Sequence, residues 1–110
     1  MAELTLQQIF GNGATQTAST LTISKADMAT TGLTANANNK AESLLVAILL
    51  LAKQQLTSDN LQNNADQSIS VEESQYPSLT IKNNQTYRQT TLSVNLQKLD
   101  TTTTINPDDY

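Results

Sequence analysis

Cysteine, histidine and tryptophan are absent from this 110-residue sequence, and two of these absences remove whole classes of function. Without cysteine there are no disulfides, no thiolate zinc sites and no thiol nucleophiles. Without histidine, acid–base catalysis near neutral pH would require a carboxylate or a lysine whose pKa is shifted by burial. The sequence therefore contains few of the residue types on which enzymes and metalloproteins depend.

Basic and aromatic residues are scarce. The six cations occur singly against ten carboxylates, giving a net charge of -4, so we predict no nucleic-acid binding. The first ten residues contain Glu3 and no apolar stretch of signal-peptide length, so we expect no secretion by that route. With 37% apolar and 4% aromatic residues, the chain can form one domain with a thin core.

The carboxylates do not form a catalytic or metal-binding pattern. Glu72 and Glu73 are neighbours in a predicted strand, where adjacent side chains point to opposite faces and cannot converge on one substrate. The acidic loop that begins at Asp59 has Asn64 where an EF-hand requires glycine. The sequence therefore predicts no enzyme activity and no catalytic, metal-binding or cofactor-binding residues.

The pattern of elements predicts an α+β fold, with one central apolar helix packed on a small antiparallel sheet and extended arms at both ends. A single domain is expected over residues 1–100, and a C-terminal arm over 101–110. Residues 1–19 form the N-terminal arm, which contains a short helix that Thr5 can cap and Gly11 can end.

Alternating apolar and polar side chains predict the strands. They occur at residues 20–25, 68–72, 78–82 and 87–97. Asn83 and Asn84 tolerate positive φ and separate the last two strands as a hairpin turn would. We therefore expect the last three strands to form an antiparallel meander, with Leu79 and Ile81 facing inward.

The most informative segment is an apolar helix that Asn39 can cap and that extends to about Leu56. Its middle, residues 44–52, is nine consecutive apolar residues, far short of the roughly 20 needed to cross a bilayer, so we predict no membrane span.

At helical spacing the apolar residues of this segment fall into two groups. The group expected to face the sheet is Ala41, Leu45, Ile48, Leu49, Ala52 and Leu56. The group expected to point away is Leu44, Ala47, Leu50 and Leu51. A small sheet covers only one side of a helix, which leaves two interpretations. Neighbouring subunits bury the second group, or residues 14–33 of the same chain wrap over it.

The interface predicted on the first interpretation has three parts. They are the second helix group, an aromatic–cation pair of the types enriched at interface hot spots, and two residues of the C-terminal arm. The residues are Leu44, Ala47, Leu50, Leu51, Tyr87, Arg88, Ile105 and Tyr110. The expected partners are other protein subunits, in a homo-oligomer.

Three stretches carry a resemblance in general style to a known group of proteins. They are residues 4–11 (LTLQQIFG), 41–47 (AESLLVA) and 105–110 (INPDDY). The chain resembles small structural proteins of tailed-phage particles, including phages or prophage-like elements of cyanobacteria. The resemblance implies a capsid cement, decoration, neck or tail protein, found in the virion or the host cytoplasm. The alternative hypothesis is a small cytosolic adaptor or regulatory protein-binding module.

Overall fold

Helices and small antiparallel sheets make up this protein, which confirms the predicted α+β class. The computed structural model describes residues 3–98 and 104–110. The α-helices are α1 (Leu6–Phe10), α2 (Ala41–Gln55) and α3 (Ser58–Asn63). The strands are β1 (Thr15–Gln16), β2 (Leu21–Thr22), β3 (Ile69–Glu73), β4 (Ser78–Lys82), β5 (Gln85–Gln89) and β6 (Leu92–Leu96). Two 3₁₀ helices cover Lys25–Thr31 and Pro107–Asp109.

The short N-terminal helix begins and ends as predicted. Thr5 Oγ1 accepts a hydrogen bond from the Gln8 amide at 3.1 Å, and Gln8 Oε1 accepts one from the Thr5 amide at 2.7 Å. This capping box satisfies amides that the first turn leaves unpaired. Gly11 ends the helix with φ 101°, and its amide donates to the carbonyl of Gln7. Because α1 lies against α2, this part of the predicted N-terminal arm belongs to the body of the fold.

The predicted long helix exists, but its predicted cap is wrong. Lys40 occupies the N-cap position of α2 and makes no side-chain capping bond. Asn39 instead holds the preceding loop, because its Nδ2 donates to the carbonyl of Thr34 at 3.0 Å and its Oδ1 accepts from the amide of Asn36 at 3.0 Å. Because both polar groups of the Asn39 side chain bond to the loop, neither caps the helix.

The expectation that Ala47 and Leu51 face away from the core is wrong. They are only 2% and 6% exposed and form the core cluster with Met28 of the first 3₁₀ helix. The partly buried side chains packed against this cluster are Ile23, Leu33 and Ile48. Conversely, Leu45 was expected to face the sheet and is 57% exposed. The interpretation in which residues 14–33 wrap over the helix therefore describes this face of α2.

The last four strands form a nested hairpin and not the predicted meander. β3 pairs with β6, and the hairpin of β4 with β5 is inserted between them. The amide of Ser74 donates to the carbonyl of Thr91 at 2.8 Å, just beyond the β3–β6 ladder. The amide of Val71 donates to the carbonyl of Leu56 at 2.8 Å, which ties β3 to the end of α2. This bond anchors β3 to the end of the helix, and β6 is held through its pairing with β3.

Two further segments differ from the sequence-based expectation. Of the strand predicted over residues 20–25, only β2 forms, and it pairs with β1. Ile23, directly after β2, packs against the core cluster. The loop predicted after α2 contains α3, whose first turn is capped by Thr57 Oγ1, which accepts from the amide of Asn60 at 3.1 Å. Gln67, which is 7% exposed, then fixes the path into β3, because its Nε2 donates to the carbonyl of Ile69 at 2.8 Å.

The described part of the C-terminal arm folds back towards the end of β6. Lys98 Nζ lies 2.6 Å from Asp109 Oδ2 and 5.8 Å from the centre of the Tyr110 ring. Residues 101–103 of the predicted arm lie outside the described residues. Within residues 3–98 and 104–110, no helix is long and apolar enough to cross a membrane.

Candidate protein interface

Strands β4 and β5 are exposed at every residue, and with the turn between them they form a hairpin, here called the hairpin arm (residues 78–89). Asn83 and Asn84 form its two-residue turn with φ of 53° and 61°. Positive φ at both turn positions is what a type I′ turn requires, and this turn matches the twist of the flanking strands. The predicted asparagine turn is therefore confirmed.

The two faces of the hairpin arm differ in chemistry. Leu79 lies opposite Arg88 and Ile81 lies opposite Thr86, and directly opposed residues share a face. This apolar face leaves Leu79 71% exposed and Ile81 80% exposed. The expectation that both side chains point inward is therefore wrong. The ladder of β4 and β5 faces solvent along its whole length instead of packing on the helix.

Tyr87 and Arg88 belong to opposite faces because neighbouring strand residues alternate. Tyr87 is 40% exposed, and its hydroxyl donates to Gln85 Oε1 at 3.2 Å. Lys82 Nζ lies 5.3 Å from the centre of the Tyr87 ring, within the range of a cation–π contact. The predicted aromatic–cation pair therefore cannot form one hot spot. Arg88 accompanies Leu79 and Ile81, whereas Tyr87 accompanies Lys82.

A cleft of about 520 Å³ lies along the N-terminal half of α2, here called the α2 cleft. Its size falls within the usual range for binding pockets. Leu33 and Thr34 line one part of it, and Glu42, Val46 and Leu50 of α2 line another. Val46 is 50% exposed, and Glu42 is the one ionisable residue among the described side chains of the lining. The cleft therefore presents apolar side chains beside a single negative charge.

The eight residues of the predicted interface lie on three parts of the chain: α2, the hairpin arm and the C-terminal segment. Ala47 and Leu50 line the α2 cleft, although Ala47 itself is buried, and Leu51 lies in the core. Leu44 is half-buried on the same helix. Tyr87 and Arg88 lie on the hairpin arm, Ile105 is 73% exposed, and Tyr110 lies beside Lys98.

Sequence reasoning missed Leu79, Ile81 and Val46 as exposed apolar residues. Each occurs in a segment whose pattern is that of a core-facing strand or helix, so the local pattern did not indicate that the side chain is exposed. The available signal was the thin apolar composition, because a chain with so few apolar residues cannot cover the apolar face of every strand pair.

No family model matches this chain, and comparisons with curated proteins and with solved structures give no match either. The candidate interface therefore depends on the geometry of the chain itself. In the part of the chain that the structure describes, no three acidic side chains come together in a group suited to a metal ion. Two surfaces combine exposed apolar side chains with a single charge: the apolar face of the hairpin arm and the α2 cleft.

Proposed function

We propose that this protein is a non-enzymatic structural subunit of a protein assembly, and that it acts by packing against other protein chains. Support comes chiefly from one observation, the exposed apolar face of the hairpin arm. The assembly we favour is a tailed-phage particle, because the sequence resembles small structural proteins of such particles. In that setting the chain would serve as a capsid cement, decoration, neck or tail component.

The energetics of the hairpin arm support a partner. A two-stranded hairpin by itself is marginally stable in water, because it has no second layer against which to bury its side chains. Full burial of a leucine or isoleucine contributes roughly 1.5–3 kcal/mol. Leu79 and Ile81 forgo most of that contribution in the free chain. Packing the apolar face against another protein would recover it.

The strand edges of the hairpin arm offer a second route to association. β4 and β5 pair with each other in a two-stranded sheet, so each has an outer edge. Such an edge presents amides and carbonyls that can extend a neighbour's sheet. Arms of this kind are suited to subunits that hold each other in place.

The mass of the full-length chain in solution tests this proposal. Multi-angle light scattering over a range of concentrations should show three or more chains in a closed ring or a larger array. A chain that stays monomeric or dimeric at high concentration would contradict the structural-subunit proposal and favour the adaptor hypothesis.

A matched pair of arm variants localises the contact. Ile81→Thr keeps a β-branched residue but removes apolar surface from the exposed face, and should lower the mass while leaving the circular dichroism unchanged. Lys82→Thr introduces the same residue on the opposite face without altering the apolar face, and should leave the mass unchanged. Equal masses for wild type and Ile81→Thr would contradict a role for the apolar face.

A further inference from the structure

Charge is divided unequally between the hairpin region and the rest of the chain. The hairpin arm, residues 78–89, contains two cations and no carboxylate, whereas the remaining residues contain four cations and ten carboxylates. The net charges are therefore +2 and -6, which together give the net -4 of the chain. A region of one sign on a body of the other sign favours contact between two copies, because complementary potentials steer association.

The apolar face of the hairpin arm and the α2 cleft match in detail. The face combines two exposed apolar side chains, Leu79 and Ile81, with the cation of Arg88 directly across the ladder from Leu79. The cleft combines the apolar side chains of Val46 and Leu50 with a carboxylate, that of Glu42. Each surface thus has an apolar patch next to one charge, and the two charges are opposite.

The hairpin arm leaves the body at the other end of α2. Glu73, the last residue of β3, pairs through Oε1 with Lys53 Nζ at 3.0 Å. Lys53 lies eleven residues after Glu42, which corresponds to about 16 Å along a helix. In the structure β4 and β5 are exposed throughout, so the chain's own arm does not fill its own cleft.

From these observations we infer that the hairpin arm of one copy docks into the α2 cleft of a second copy. This inference rests on the proposed function. Leu79 and Ile81 pack on Val46 and Leu50, and Arg88 pairs with Glu42. Every copy carries both an arm and a cleft. Where two copies do not exchange arms reciprocally, the contact is heterologous and can repeat from copy to copy until a ring closes.

Charge reversal at the two partners tests the inference in full-length protein. Arg88 and Glu42 are both exposed in the free chain, so Arg88→Glu and Glu42→Arg should leave the circular dichroism native. Each variant alone places like charges together, which should raise the concentration for half-assembly at least tenfold. Lys82→Glu makes the same charge change on the other face of the arm and serves as the control.

Mixing the two single variants shows whether the contact runs between chains. In the mixture, the Arg88→Glu arm meets the Glu42→Arg cleft, and the unaltered arm meets the unaltered cleft, so both pairings are attractive. Equimolar mixing should therefore restore assembly at the wild-type concentration in an open array or a ring of even number, where the variants can alternate. The double variant Arg88→Glu with Glu42→Arg restores the attraction at every contact and should assemble in a ring of any number. Measurements at about 0.15 M salt limit long-range effects, since the Debye length is then about 8 Å.

The outcomes separate this inference from the proposed function. Loss of assembly in both variants and its recovery on mixing support docking of the arm into the cleft. An oligomer that is insensitive to both reversals, or dissociated single variants whose assembly neither mixing nor the double variant restores, would overturn the docking but leave the structural-subunit proposal standing. A wild-type chain that does not assemble at all would contradict the proposed function itself.

Discussion

Replacing Leu51 with alanine tests which face of α2 holds the fold. Leu51 is 6% exposed and belongs to a core cluster of three buried residues with Met28 and Ala47. Leucine-to-alanine changes in protein cores cost about 2–5 kcal/mol, and the cost is lower where neighbours can relax into the space. The cluster is small and bordered by half-buried side chains, so we expect about 2–3 kcal/mol.

The matched control is Leu45→Ala, which makes the same chemical change on the same helix. Leu45 is 57% exposed, so its loss should change the free energy of unfolding by no more than about 0.5 kcal/mol. In a thermal melt, a domain of this size loses about 4 °C per kcal/mol, which gives a decrease of about 8–12 °C for Leu51→Ala. The melts should be recorded at a concentration where the chain is monomeric, because association stabilises the folded state.

Equal melting temperatures for the two variants would refute this account of the core. A larger loss for Leu45→Ala would show that the faces of α2 are assigned in reverse. Chemical denaturation provides a second measurement, because a pure stability change moves the midpoint and leaves the slope unaltered.

Two further predictions concern backbone positions. Denaturant titrations should show a clearly larger loss of stability for Gly11→Ala than for Gly32→Ala. Both glycines have positive φ, so the backbone strain is common to the two variants. An added Cβ at Gly11 would lie 2.5 Å from Asp27 Cβ, whereas no atom lies within 4 Å of the corresponding position at Gly32. Asn84→Gly should preserve amide-exchange protection of the hairpin arm, while Asn84→Val should reduce it, since a β-branched residue is strained at φ 61°. Equal protection in the two Asn84 variants would contradict the turn argument.

Local signals in the sequence predicted those elements that local interactions form. The Thr5 cap, the glycine stop at Gly11 and the Asn83–Asn84 turn each depend on residues within a few positions of one another. The existence of α2 followed in the same way from its run of apolar residues, which favours a helix wherever it packs. These predictions needed no knowledge of the tertiary fold.

The faces of α2 and of β4 could not be predicted in that way. Nine consecutive apolar residues give almost no periodicity, so the helix could bury either side, and the outcome depended on where Met28 lies. Alternation in β4 showed that one face was apolar but did not show whether any element covers it. Both questions concern contacts between distant parts of the chain.

This fold exposes more large apolar side chains than it buries. In the described part of the chain, six hydrophobic residues are buried and ten large ones are exposed. Large exposed apolar patches in folded proteins mark interaction sites. The radius of gyration is 16.2 Å, against about 13 Å for a compact chain of this length.

These properties share a physical origin in the nested hairpin. Strand β3 lies next to α2 and pairs with β6, while Leu79 and Ile81, in the ladder beyond Ser74, are exposed to solvent. A chain that extended this ladder only for its own stability would gain little, because a two-stranded ribbon buries little apolar surface. The ladder becomes favourable when a second surface covers it. The length of the arm and the small size of the core therefore both support our proposal that another protein chain completes the apolar surface of this chain.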